Sequence, residues 1–149
     1  MSKLDRLRVI LAEDDEDDYL LTQEAFKEAK IINHLHRVKD GEELMNYLHK
    51  EISNPSTLNS SPPLIILLDL NMPRKSGREA LKEIKSDPKL RSIPVVILTT
   101  SKAEEDILMS YDLGCNSFIR KPVSFEQFVH VIKEFKKYWL EIVELPIDQ

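Results

Sequence analysis

The stretch LIILLDL, Leu64 to Leu70, decides the fold. Five consecutive apolar residues, Leu64 to Leu68, run directly into an aspartate, Asp69. A strand with one wet face alternates apolar and polar side chains. A strand that is apolar throughout is buried on both faces, as in a parallel sheet covered by helices on each side. Working outward, the same texture recurs. The run LRVILA ends at Ala12 against the acidic residues Glu13 and Asp14, and PVVILTT (94–100) ends in hydroxyls. The shorter HLHRV (34–38) and NSFIRKP (116–122) bring the strand candidates to five.

Helical spacing fills the gaps between them. Leu20, Leu21, Ala25, Phe26 and Ala29 recur at helical period between Asp15 and Lys30. DGEELMNYLHK (40–50) predicts a helix capped by Asp40, and EISNPSTLNSSPP (51–63) has the Ser, Asn and Pro content of a surface loop. GREALKEIKSD (77–87) puts Ala80, Leu81 and Ile84 on one face and ends before Pro88. A helix over about 102–113 stops at Gly114. SFEQFVHVIKEFKKYWLEIVEL (124–145) is a long amphipathic helix opened by Ser124, with Glu126 or Gln127 near the capping-box position. Strand and helix thus alternate five times, the signature of an α/β, doubly wound parallel sheet. Such an open sheet binds its ligand beyond the carboxyl ends of its strands. That rule points to Glu13–Asp15, Asp69–Asn71 and Thr99–Ser101.

Bulk properties exclude several classes. The chain has 149 residues, 42% hydrophobic and 32% charged, which fits one folded domain over 1–149. A net charge of −5 argues against a nucleic-acid partner, since phosphate binding needs clustered Lys and Arg. A single cysteine, Cys115, leaves no internal disulfide and no Cys-based zinc site, and a reducing, cytoplasmic setting is the expectation. The N-terminus MSKLDRLRVI lacks the apolar core of a signal peptide, and no run approaches the roughly 18 apolar residues of a membrane span.

The strand ends carry the chemistry. Glu13, Asp14, Asp15, Glu16, Asp17 and Asp18 form one acidic run, of which Glu16, Asp17 and Asp18 suit the first turn of a helix. Asp69 alone could be a turn cap, and Glu13 and Asp14 could cap the first helix. Two acidic strand ends brought together repel, and a hard divalent cation such as Mg²⁺ relieves that repulsion. Thr99 adds a hydroxyl at a third strand end and Lys121 an ammonium at a fourth, where Pro122 fixes the chain direction. Carboxylates, a cation site, a hydroxyl and an ammonium around one aspartate suit phosphoryl transfer to Asp69.

The ordered set VILAEDD, LIILLDLNMP with a following SG, VVILTTS and FIRKP resembles the receiver domain of bacterial two-component response regulators, over about residues 7–138. The resemblance implies a flavodoxin-like sheet of order 2-1-3-4-5 with five helices, and phosphorylation of Asp69 by a histidine kinase. It implies that Asp14 ligates Mg²⁺ directly, Glu13 acts through water, Asp69 completes the carboxylate set and Asn71 gives its backbone carbonyl. Thr99 and Lys121 would contact the phosphoryl oxygens, Thr99 and Phe118 would form the switch, and the Lys121–Pro122 bond would be cis. Three positions depart from the commoner pattern. Glu13 replaces Asp, Phe118 replaces Tyr and so removes a hydroxyl, and Thr100 is larger than the usual Ala or Gly, which would narrow access and slow dephosphorylation.

The 51–63 loop, the segment 77–101 and the tail FKKYWLEIVELP (135–146) are similar to the response regulators paired with phytochrome histidine kinases of cyanobacteria and other bacteria. That likeness implies homodimerisation through the last helix and the tail 139–149, with Phe135, Tyr138, Trp139, Ile142 and Val143 as an apolar stripe. Folding of Trp139 and Leu140 back onto their own domain is the competing reading. The chain ends soon after the last expected helix, so a stand-alone receiver signalling by protein contact is expected. It would not be an enzyme, and would take no small molecule beyond phosphoryl donors. The alternative is a Mg²⁺-dependent phosphatase with an aspartyl-phosphate intermediate. That class needs a second aspartate where Asn71 stands. A calcium loop over 14–25 fails because Tyr19 occupies the position that requires glycine. A P-loop fails because no G-x-x-x-x-G-K is present. A receiver-like fold that is never phosphorylated is disfavoured because every key position is filled.

Overall fold

The computed structural model describes residues 8–31, 35–53, 64–70, 72, 74–99, 117–120 and 124–138. In chain order these form β1 (Arg8–Ala12), α1 (Glu16–Glu28), β2 (Leu35–Val38), α2 (Gly41–Ser53), β3 (Leu64–Asp69), α3 (Gly77–Ser86), β4 (Val95–Thr99), β5 (Ser117–Arg120) and α4 (Phe125–Phe135). The strands make one sheet in the order β2-β1-β3-β4-β5. All neighbouring pairs are parallel. The helix expected at 102–113 lies outside the described residues.

The apolar texture of the strands is explained by two separate cores. Side chains alternate across a strand, so odd and even positions go to opposite faces. Val9, Leu11, Ile65, Leu67, Val96 and Leu98 pack with Ala25 and Phe26 of α1 and with Phe128, Ile132 and Phe135 of α4. Ile10, Ala12, Ile66, Leu68, Val95 and Ile97 pack with Leu44 and Leu48 of α2 and with Ala80, Leu81 and Ile84 of α3. At about 1.5–3 kcal/mol for each fully buried aliphatic side chain, the central strands β1 and β3 contribute to both cores at once. A polar residue in their interiors would be expensive, which is why their charged residues stand only at the ends, Arg8 at the start of β1 and Asp69 at the finish of β3.

Local signals end the helices where the sequence asks. Asp15 caps α1, its carboxylate accepting from the Asp18 N–H at 2.9 Å. Asp40 does the same at the start of α2, accepting from the Glu43 N–H at 2.8 Å. Ser124 caps α4 by accepting from the Gln127 N–H at 3.1 Å. Ser76 and Glu79 form a reciprocal capping box at α3. Lys30 ends α1 in the left-handed region, φ 59°. The Lys136 ammonium donates to the Ala29 and Lys30 carbonyls there, each at 3.3 Å. That places a cation where the helix dipole favours one.

Two expectations need correction. The helix expected over 40–50 runs on to Ser53 as α2, so the loop read from residue 51 starts later. Polar composition suggested a loop, but Glu51 faces back to the sheet and pairs with Arg8 at 3.2 Å, which holds the extra turn. Phe135, read as part of an exposed dimer stripe, is 3% exposed and packs its ring 6.2 Å from that of Phe26. It belongs to the domain's own core. Tyr138 is exposed, at 54%. Trp139, Ile142, Val143 and the rest of the tail lie outside the described residues.

Candidate functional site

Strand register sets the site. Ala12 of β1 is paired with Leu68 of β3. Glu13, just past β1, and Asp69, the last residue of β3, therefore stand at the same level. Both are odd-numbered and emerge on the same face, as the alternation above requires. Asp14 follows in the turn that leads to the Asp15 cap. Carboxylate oxygens of Glu13, Asp14 and Asp69 lie within 4.8 Å of one another.

The three differ in environment. Glu13 is fully buried and Asp69 is 8% exposed, whereas Asp14 faces solvent. Two buried carboxylates at that separation repel by about 3.5 kcal/mol at an effective dielectric of about 20. The Glu13 carboxylate accepts from the Asp15 N–H at 3.3 Å, which helps fix its arm. The donor set is all oxygen, anionic and open on the Asp14 side. These are the ligands a hard divalent cation of the Mg²⁺ or Mn²⁺ type takes, with water completing its shell.

The chain following Asp69 is held on two sides by glycines, two of the three in the sequence. The Gly77 N–H donates to the Leu70 carbonyl at 3.1 Å. A Cβ on Gly77 would sit 2.2 Å from the Asp69 carbonyl oxygen and 2.7 Å from Leu70 Cα. The Gly41 N–H donates to the Lys75 carbonyl at 2.9 Å, and a Cβ there would sit 2.4 Å from the same oxygen. Between them Arg74 takes a left-handed conformation, φ 60°, with its guanidinium 3.9 Å from the Asp40 carboxylate. Leu70 and Lys75 are thus held against the first turns of α3 and α2 respectively. Sequence reading took both glycines only as helix starts. The sequence carries little signal for this, since glycine is ordinary at a helix start and the close approach is seen only in the structure.

Of the other expected site residues, Thr99 is the last residue of β4 and Phe118 is in β5. Asn71, Lys121 and Pro122, and with them the expected cis bond, lie outside the described residues. Arg37 was not singled out from the sequence, yet its guanidinium donates to the Glu13 carbonyl at 3.0 Å and to the Asp14 carbonyl at 3.2 Å.

Comparison with known proteins now decides the family. The sequence pattern of the response regulator receiver domain matches residues 9–133. The chain belongs to the response regulator receiver domain family. Its sequence is 40% identical over 138 residues to the response regulator Rcp1 of Synechocystis sp., covering 93% of this chain and 92% of that one. Its structure is similar to that of the phosphorylated cyanobacterial phytochrome response regulator RcpA, with a TM-score of 0.80 and 42% identity, covering 93% and 97% of the two chains. It is also similar to the Mn²⁺-bound form of Rcp1, with a TM-score of 0.79 and 39% identity over 95% and 99% of the chains. Membership places this receiver in two-component signalling, and its flavodoxin-like fold is the family's. No helix among the described residues is long and apolar enough to cross a membrane.

Proposed function

We propose that this receiver accepts a phosphoryl group on Asp69 from a histidine kinase and signals by protein contact. The observation that carries the reading is the convergence of Glu13, Asp14 and Asp69 within 4.8 Å at the carboxyl ends of β1 and β3. An Asp69 oxygen attacks the phosphorus of the phosphohistidine. The P–N bond breaks, its electron pair leaves with the imidazole, and an acyl phosphate forms on Asp69. Glu13, Asp14 and Asp69, with the backbone carbonyl of Asn71, would hold Mg²⁺. When bound, the cation offsets the repulsion among the carboxylates and the incoming phosphoryl oxygens. Thr99 and Lys121 would contact those oxygens, Thr99 and Phe118 would relay the change to the surface, and Pro122 would follow a cis bond.

The kinase proposed is of the phytochrome type, because the Rcp1 and RcpA relatives match over nearly the whole chain. Homodimerisation through the end of α4 and the tail would use Tyr138, Trp139 and Ile142, without Phe135. A cytoplasmic location and a single domain over 1–149 complete the reading.

Incubation with acetyl phosphate or a phosphorylated histidine kinase, read by intact mass, is the test. One phosphoryl group is expected per chain, dependent on Mg²⁺ and absent from Asp69→Asn. Labelling of Asp69→Asn at the parent's level would overturn the assignment.

A further inference from the structure

Arg37 sits at the end of β2, on the sheet's edge, yet its side chain is only 11% exposed. Its guanidinium grips three successive features of the acidic turn. Nε donates to the Glu13 carbonyl, Nη2 to the Asp14 carbonyl, and Nη1 to the Glu16 carboxylate. The guanidinium carbon lies 4.5 Å from the centroid of the Tyr19 ring, whose face limits where the head can go. The Glu13 N–H in turn donates to the Val38 carbonyl at 2.9 Å. The turn that carries two of the three clustered carboxylates is therefore tied to β2 by four hydrogen bonds.

We infer that Arg37 is a positioning residue for the divalent cation: its planar fork fixes the Glu13 and Asp14 backbone, and so presets the spacing of their carboxylates. The inference rests on the reading of Glu13, Asp14 and Asp69 as cation ligands. The geometry favours a fork over a point charge. Two parallel N–H groups at fixed spacing engage the adjacent carbonyls; an ammonium can reach two carbonyls, as Lys136 does at Ala29 and Lys30, but its rotating donors do not fix their spacing. The carbonyls of Glu13 and Asp14 precede the α1 cap, and Arg37 donates to both.

Positioning and simple electrostatics predict opposite signs. Arg37 is a positive charge beside a cation site, so by Coulomb's law alone its removal would tighten cation binding. A positioning role predicts weaker binding, even when the charge is kept. The experiment is Mn²⁺ titration followed by the electron paramagnetic resonance signal of the free ion, on the parent, Asp14→Asn, Arg37→Lys, Arg37→Gln and Tyr19→Leu. Asp14→Asn should lose most of the affinity. Arg37→Lys and Arg37→Gln should each raise Kd by about tenfold, the lower end of what an outer-shell partner of a metal ligand supplies. Tyr19→Leu changes no charge and removes the aromatic face beside Arg37, so it tests the idea even if the Arg37 variants do not fold. It should raise Kd about two- to fivefold, the worth of one cation–π contact.

If the parent binds Mn²⁺ and Asp14→Asn does not, while Arg37→Lys and Tyr19→Leu keep the parent's Kd, Arg37 has no positioning role and the cation site still stands. Tighter binding by Arg37→Gln would likewise overturn the inference in favour of electrostatics alone. If the parent itself fails to bind Mn²⁺, the cation reading beneath it falls as well.

Discussion

At the amino end of β1, Arg8 donates to the Tyr47 hydroxyl and the Glu51 carboxylate, each at 3.2 Å. Just beyond the carboxyl end of the same strand, Glu13 and Asp14 converge with Asp69. The first cluster is compensated. Its cation faces an anion and a hydroxyl, and the Tyr47 ring stacks on His36 with centroids 4.3 Å apart. Burial pushes the Tyr47 hydroxyl above its ordinary pKa, opposed by the Arg8 charge and reinforced by Glu51. The second cluster gathers like charges around a buried glutamate. A cluster that serves folding alone places opposite charges together. In the second the like charges stand close together, and the divalent cation of the proposed function would offset their repulsion.

The sheet's carboxyl end is also where the backbone is packed too closely for ordinary side chains. Gly77→Ala forces a methyl group into the Asp69 carbonyl, so the protein should lose about 1–3 kcal/mol in urea unfolding. Its labelling by acetyl phosphate should slow at the same time, because Asp69 must shift. A stable, fully active Gly77→Ala would mean that the chain leaving Asp69 is not held as tightly as its contacts require. At the amino end the effect should be smaller. A double-mutant cycle of Arg8→Met and Glu51→Gln should give a coupling of about 0.5–1 kcal/mol, since the pair is partly exposed. It should leave labelling of Asp69 unchanged. Loss of labelling in that cycle would break the division between a structural end and a reactive end.

Much of this was legible in the sequence because the informative feature is where apolar runs stop. LIILLDL and LRVILA with its following acidic pair placed Asp69, Glu13 and Asp14 at strand ends, and strand register then brought them together. Glu16, Asp17 and Asp18 in the first turn of α1 also followed from the helix dipole, whereas the cap is Asp15 rather than Glu13 or Asp14. What escaped notice depended on contacts between segments distant in sequence. Arg37 lies 24 residues from the carbonyl of Glu13 that it holds. Nothing in HLHRV announces that role. Glu51 extends α2 by pairing with Arg8, 43 residues away, against the polar composition that suggested a loop. Phe135 follows the periodicity of an amphipathic stripe, but periodicity cannot say whether such a face meets its own sheet or a second chain. For Phe135 the partner is Phe26 of its own domain. The capping box at Ser76 and Glu79 also went unread, although its Ser-x-x-Glu spacing is local in sequence.

The contrast between the two ends of β1 is tested most directly by thermal unfolding of the parent and Asp14→Asn, with and without Mg²⁺. Without the cation, removing one carboxylate relieves repulsion, so Asp14→Asn should melt above the parent. With saturating Mg²⁺ the parent should gain stability through ligand binding, Asp14→Asn should gain little, and the order should reverse. A parent that melts at the same temperature with and without Mg²⁺, and above Asp14→Asn in both conditions, would contradict the account.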